Sequence, residues 1–102
     1  MTVHDLKCWP EFFEPVWRGE KTAEIRYNDR KYAVGDVLLL REWEPEMAAY
    51  TGRECRRMVT HMIQGAGTVG VIAPLRGLNA KFVLLSLREV DDAGCVAAAA
   101  TE

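Results

Sequence analysis

Apolar positions along the chain fall into short runs separated by proline, glycine and polar clusters, a pattern of short strands with one early helix. Residues 4–9 read as a first strand, stopped by Pro10. Residues 11–18 read as a helix, with Phe12, Phe13, Val16 and Trp17 on one face and Glu11 and Glu14 pointing away. Gly19 follows as its stop. Pro15 removes one helical hydrogen bond at a cost of ~3 kcal/mol. The helix therefore either starts late, with Pro15 in its first turn, or is kinked.

Residues 21–27 form the second predicted strand and 28–35 a polar loop. Residues 36–43 hold the nearly continuous run Val37, Leu38, Leu39, Leu40, which predicts a strand buried on both faces. Pro45 and Thr51-Gly52 mark 44–52 as a hairpin connection. Residues 53–64 read as a long fourth strand, with Cys55, Val59, His61 and Ile63 on one face and Met58, Thr60 and Met62 on the other. The glycine-rich stretch 65–80 reads as a loop of 16 residues, long enough to serve as a lid. Residues 81–90 close the domain with the buried strand Phe82-Val83-Leu84-Leu85, and 91–102 read as a fraying tail. The expected class is mainly β (α+β): a small, partly closed barrel of five or six strands over residues 1–90. One helix should close it.

Composition narrows the function more than the fold. At 102 residues and 49% hydrophobic, the chain makes one domain with a core of its own. No run approaches the ~20 apolar residues of a membrane span, and the first residues lack a signal-peptide stretch, so a cytoplasmic setting is expected. Cys8, Cys55 and Cys95 are widely spaced, and His4 and His61 are isolated. Reduced thiols and no metal or cofactor are the expectation. All 13 basic residues but only 12 of the 15 acidic ones lie in residues 1–90, a net of +1. That charge does not hold duplex nucleic acid by counterion release, so any nucleic-acid contact must be a local pocket or patch.

Two motifs compete for attention. Gly65-Ala66-Gly67-Thr68-Val69-Gly70 fits the dinucleotide fingerprint, and Glu89 lies about twenty residues on. Pro74 and Gly77 break the helix this fingerprint needs, and the chain after Glu89 is too short for the remaining sheet. A loop is the better reading. The second motif is Gly19-x-Lys21-x-x-Glu24-x-Arg26. On a strand, Glu24 and Arg26 share a face, with Cα atoms roughly 6.6–7 Å apart. Opposite charges beside a small core must pair, so a structural ion pair competes here with a ligand site.

The stretch Leu6-Lys7-Cys8-Trp9-Pro10-Glu11-Phe12-Phe13, followed by residues 19–30 around that second motif, resembles a family of small ASCH-domain proteins of unknown function, common in phages and bacteria. The likeness continues through Val34-Gly35-Asp36-Val37, Tyr50-Thr51-Gly52-Arg53-Glu54 and Val59-Thr60-His61, and ends at Phe82-Val83-Leu84-Leu85-Ser86-Leu87. It implies a PUA-like β-barrel with a cleft beside Lys21, and RNA is the ligand usually proposed for that superfamily. One bacterial branch hydrolyses acetylated cytidine with a lysine and a threonine of this motif plus a glutamate from a later helix. Lys21 matches the lysine, whereas Glu24 stands where the threonine would be, and 65–80 offers no helix for the later glutamate.

The resulting expectation is an RNA or nucleotide site. Lys21 and Arg26 meet phosphate or carbonyl oxygens, Glu24 accepts from an amine or ring N–H, and Asn28 does either. Trp9, Tyr27, Tyr32 and Trp43 are candidates to stack on a base, with Trp9 and Tyr27 preferred because they flank the motif. Two alternatives stand beside it. One is a hydrolase of a modified nucleoside or RNA, with Lys21 and Glu24 as catalytic residues; the other is an accessory protein that binds a host protein.

Overall fold

The computed structural model describes residues 1–66 and 75–90. Among them the elements follow in the order β1 (Val3–Cys8), α1 (Pro10–Trp17), β2 (Ala23–Tyr27), β3 (Val37–Glu44), β4 (Ala49–Ala66), β5 (Leu75–Asn79) and β6 (Phe82–Glu89). The strands pair in the order β1-β3-β4-β6-β2, and β5 joins the far end of β4. β1 runs parallel to β3, and the other pairs on that path are antiparallel. The sheet curls until its two edge strands face each other, and Arg26 of β2 donates to the backbone oxygen of Lys7 on β1 at 3.0 Å. A side chain thus spans the seam where a closed barrel would have a backbone ladder. The described residues thus form a mainly β half-barrel with one short helix.

The core lies inside the curl. Leu6 and Cys8 of β1, Leu38 and Leu40 of β3, Cys55 and Val59 of β4, and Val83, Leu85 and Leu87 of β6 meet Phe13 and Val16 of α1. The run in β3 is not buried on both faces throughout. Leu38 and Leu40 are fully buried on the inner side, where α1 packs, whereas on the outer side Val37 is buried but Leu39 and Arg41 are only half-buried. In β4 the predicted face holds only as far as Val59. The register slips between Val59, opposite Leu87, and His61, opposite Ser86. A bulge of this kind transfers every later side chain to the other face, so His61 is exposed and Met62 packs on the core.

The helix begins at Pro10, whose missing N–H costs nothing in the first turn, so Pro15 lies inside it and the late start is excluded. Phe13 and Val16 point inward, fully buried, and Trp17 packs beside them. Phe12 does not join that face; it stays 53% exposed, turned toward the seam. Gly19 ends the helix with φ of +80°, the left-handed conformation that favours glycine. The amides of Glu20 and Lys21 then both close on the oxygen of Pro15, which turns the chain directly into β2.

The stretch predicted as a long loop is partly strand. β4 extends through Ala66 and β5 pairs with it, while residues 67–74, on which the lid expectation rests, lie outside the described residues, as does the tail 91–102. No helix opens at Gly65. The β5 backbone crosses it so closely that an added Cβ would collide with the carbonyls of Leu78 and Asn79. Close backbone approach accounts for this glycine without any phosphate.

Two buried carboxylates tie the ends of the fold together. Asp36 accepts from His4 Nε2 at 2.9 Å and from the amides of Thr2 and Ala33 at 3.0 Å each. Glu42 is gripped on both oxygens by Arg53 at 3.0 Å, and the same guanidinium reaches Glu14 of α1 at 2.6 Å. Burial pushes the Asp36 carboxyl up, but the bonds from His4, Thr2 and Ala33 outweigh it and hold it below the usual range. At Glu42 the Arg53 hydrogen bonds dominate over burial, with help from Thr51, and again lower it. A carboxyl depressed on folding stabilises above its unfolded pKa and loses that contribution as pH falls through the folded value. The thermal midpoint is therefore expected to stay level near neutrality and to fall progressively below about pH 4. A midpoint unchanged from pH 7 to pH 3 would contradict these two clusters as described.

Candidate functional site

The seam between β1 and β2 is where the polar chemistry collects. Glu24 and Arg26 alternate with Ile25 and so project to the inner side of β2, opposite Leu85 and Val83 of β6. Glu24 is buried at 3% exposure, a position that an ionised carboxylate tolerates only with partners. It has two. Lys21 Nζ donates to Oε1 at 2.6 Å, and Arg26 donates to Oε2 from Nε at 2.8 Å. Arg26 Nη2 lies 2.7 Å from the same oxygen and spends its other bond on Lys7 O. Lys21, Glu24 and Arg26 therefore carry a net charge of +1.

What remains is a surplus of donors. Among the described residues, Arg26 Nη1 and two of the three ammonium N–H groups of Lys21 have no hydrogen-bond partner, although Lys21 Nζ also lies 5.9 Å from the Phe12 ring centroid. Both side chains reach solvent, Lys21 at 32% and Arg26 at 22% exposure. They open into a cavity of about 760 Å³ that begins at Lys7 and Cys8, passes Lys21, Glu24 and Arg26, and runs over the free edge of β2. Beyond that edge Ile25 pairs with Leu84 and Tyr27 with Phe82, so these four share the outer face as an apolar shelf. The rings of Tyr27 and Phe82 are stacked with centroids 4.7 Å apart. Trp9 and Phe12 line the cavity from the helix side, both about half exposed.

Five of the six residues singled out from sequence thus line one cavity: Trp9, Lys21, Glu24, Arg26 and Tyr27. Asn28 does not. One residue past β2, it sits in an adjoining concavity of about 390 Å³ with Arg30, Lys31, Met62 and Gln64. Of the other aromatic candidates, Tyr32 is buried against the His4 ring with centroids 4.7 Å apart, and Trp43 is covered by Lys7 and by the edge of Tyr50. Phe12, Lys7, Ile25 and Phe82 belong to the cavity but were not predicted for it. Helical spacing alone assigned Phe12 to the core, and nothing local says that β1 faces β2 across a seam or that β6 pairs with β2 in the sheet.

Cys8 also borders the cavity, but it is 3% exposed. Burial, reinforced by the neighbouring Glu24 carboxylate, pushes its thiol up to about 11. It stays protonated at neutral pH and offers no nucleophilic thiolate. Among the described residues, no three His, Cys, Asp or Glu side chains come together as a metal-ligand set. No described helix is long and apolar enough to cross a membrane.

These features define a small curled-sheet domain whose cationic seam opens beside an aromatic shelf. The chain belongs to a family known as a domain of unknown function (DUF3850), whose sequence model matches residues 3–87. It is also similar to a protein of Escherichia phage P2 described as an uncharacterized 12.9 kDa protein in the GpA 3′ region, at 38% identity over 58 residues. That alignment takes in 57% of this chain and 51% of the phage protein, so the chain spans about half the length of the curated relative it matches.

Proposed function

We propose that the seam cavity binds a nucleotide or a single-stranded RNA segment, within an architecture of the PUA-like, ASCH type. The observation that carries this reading is the meeting of spare cationic donors on Lys21 and Arg26 with the half-exposed rings of Trp9, Phe12 and Tyr27 around one cavity. Donors without acceptors call for an anionic or carbonyl-rich ligand, and flat apolar rings call for a base to stack on them at ~1–3 kcal/mol each. Glu24 acts as a positioning residue. Its oxygens are already engaged by Lys21 and Arg26, so it fixes the direction of both cations and is not the first acceptor for a base amine. This arrangement favours binding over turnover, since Lys21 donates to a carboxylate and Cys8 remains a thiol.

The test is calorimetric titration with nucleoside 5′-monophosphates and short single-stranded RNAs at several salt concentrations. Saturable binding is expected to weaken with salt, with a slope of about −0.7 for each phosphate neutralised. Duplex of the same length is expected to bind worse, because its bases are not free to stack. Absence of binding to every nucleotide and RNA at millimolar concentration would reject this reading and favour a protein partner.

A further inference from the structure

Resting on the reading just given, we infer that the ligand is a single strand of at least two nucleotides, and that the concavity around Asn28 and Gln64 holds the second base. The two concavities are consecutive along one stretch of chain. Lys21 to Tyr27 line the first, and Asn28 to Tyr32 line the second, with Met62 and Gln64 opposite. Asn28 lies one residue past the end of β2, its amide still bonded to Lys81 O at 2.7 Å, so the first concavity gives way to the second in the single step from Tyr27 to Asn28. That is a step an extended nucleotide strand can make and a lone mononucleotide cannot use.

The chemistry of the two concavities differs in a way that fits successive nucleotides. The first offers rings and cationic donors. The second offers two carboxamides, joined only by a long bond from Asn28 Nδ2 to Gln64 Oε1 at 3.4 Å. Among the described residues, the Gln64 amide nitrogen and the Asn28 amide oxygen have no hydrogen-bond partner. A facing pair of carboxamides presents both donors and acceptors, the equipment for the edge of a base, and Asn or Gln is the usual partner of adenine. At its rim Arg30 and Lys31 add two positive charges against the single negative charge of Asp29, suited to the phosphate joining the two nucleotides. A second cavity of this polarity has no use for a free mononucleotide, whose phosphate Lys21 and Arg26 would already hold.

The experiment measures calorimetric affinities for adenosine, cytidine, guanosine and uridine 5′-monophosphates and for the 5′-phosphorylated dinucleotides that extend the best of them. The expected result is that the best dinucleotide binds at least ten-fold more tightly than its parent, with adenine preferred at the added position. In Asn28→Ala and in Gln64→Ala the ratio of dinucleotide to mononucleotide affinity is expected to fall toward one. A thermal melt of each variant confirms folding, and the second variant guards against loss of the first. A dinucleotide that gains nothing over its parent, or a gain that survives both substitutions, overturns the inference while the binding reading stands. Failure of all mononucleotides and dinucleotides alike overturns both.

Discussion

Phe13→Ala is expected to cost about 3–5 kcal/mol of stability, whereas Phe12→Ala, one residue earlier, costs under about 1 kcal/mol. The contrast follows from the helix's narrow inward stripe. Phe13 is completely buried among Val16, Trp17 and the inner-face residues of the sheet, with the Trp17 ring stacked 5.7 Å away. It also sits beneath the Arg53 guanidinium, 5.2 Å from its centroid, so its loss leaves a cavity under the group that ties α1 to β3. A domain of this size is stable by only ~5–15 kcal/mol, so the variant stands near the unfolding threshold. Phe12 by contrast is half exposed at the cavity, and its truncation is expected to appear in ligand affinity. Urea unfolding of both variants decides the matter. Equal costs at the two positions would mean that the helix is rotated from the orientation described.

Arg26→Ala is expected to reduce nucleotide affinity by at least about a hundred-fold. Each hydrogen bond from a charged donor is worth ~1.5–3 kcal/mol, and 1.4 kcal/mol is a factor of ten, so losing the Nη1 donors alone accounts for that magnitude. The substitution also removes two of the bonds that fix Glu24 and the bridge to Lys7 O. Glu24 keeps Lys21, and both Lys21 and Arg26 reach solvent, so the stability lost is expected to be ~1–3 kcal/mol, not the whole fold. Arg26→Lys separates the two roles, because an ammonium keeps the charge but cannot fork to Glu24 and Lys7 together. It is expected to recover part of the affinity and little of the bridge. Calorimetry with the best-binding nucleotide, beside urea unfolding, reads both quantities. If Arg26→Ala unfolds the domain while Arg26→Lys leaves affinity at zero, the triad is a structural ion pair and the ligand site lies elsewhere.

The elements themselves were legible in the sequence because each is decided locally. The run stopped by Pro10, the apolar run Phe82 to Leu85, helical spacing at Phe13 and Val16, and the glycine stop at Gly19 act over a few residues. Those strands and the helix form where the pattern puts them, although Phe82 and Leu84, expected buried, are only half-buried because β6 alternates its faces. The pairing of Glu24 with Arg26 was legible for the same reason, since two residues on one strand face share a side whatever the strand's neighbours.

Tertiary structure decided what the local pattern could not carry. A single bulge after Val59 reversed the faces of β4, and no hydropathy pattern records one extra residue in a ladder. Phe12 has the same hydrophobicity as Phe13 and went to the cavity instead of the core because the seam lies on its side of α1. Asn28 followed the site motif in sequence yet entered a different concavity, since the strand ends at Tyr27 and the chain turns there. Above all, the cavity exists because the ladder stops short of joining β1 to β2. Lys7 and Lys21, and the shelf of Phe82 and Leu84, come together only when the sheet has curled, a consequence of long-range pairing that no stretch of sequence expresses by itself.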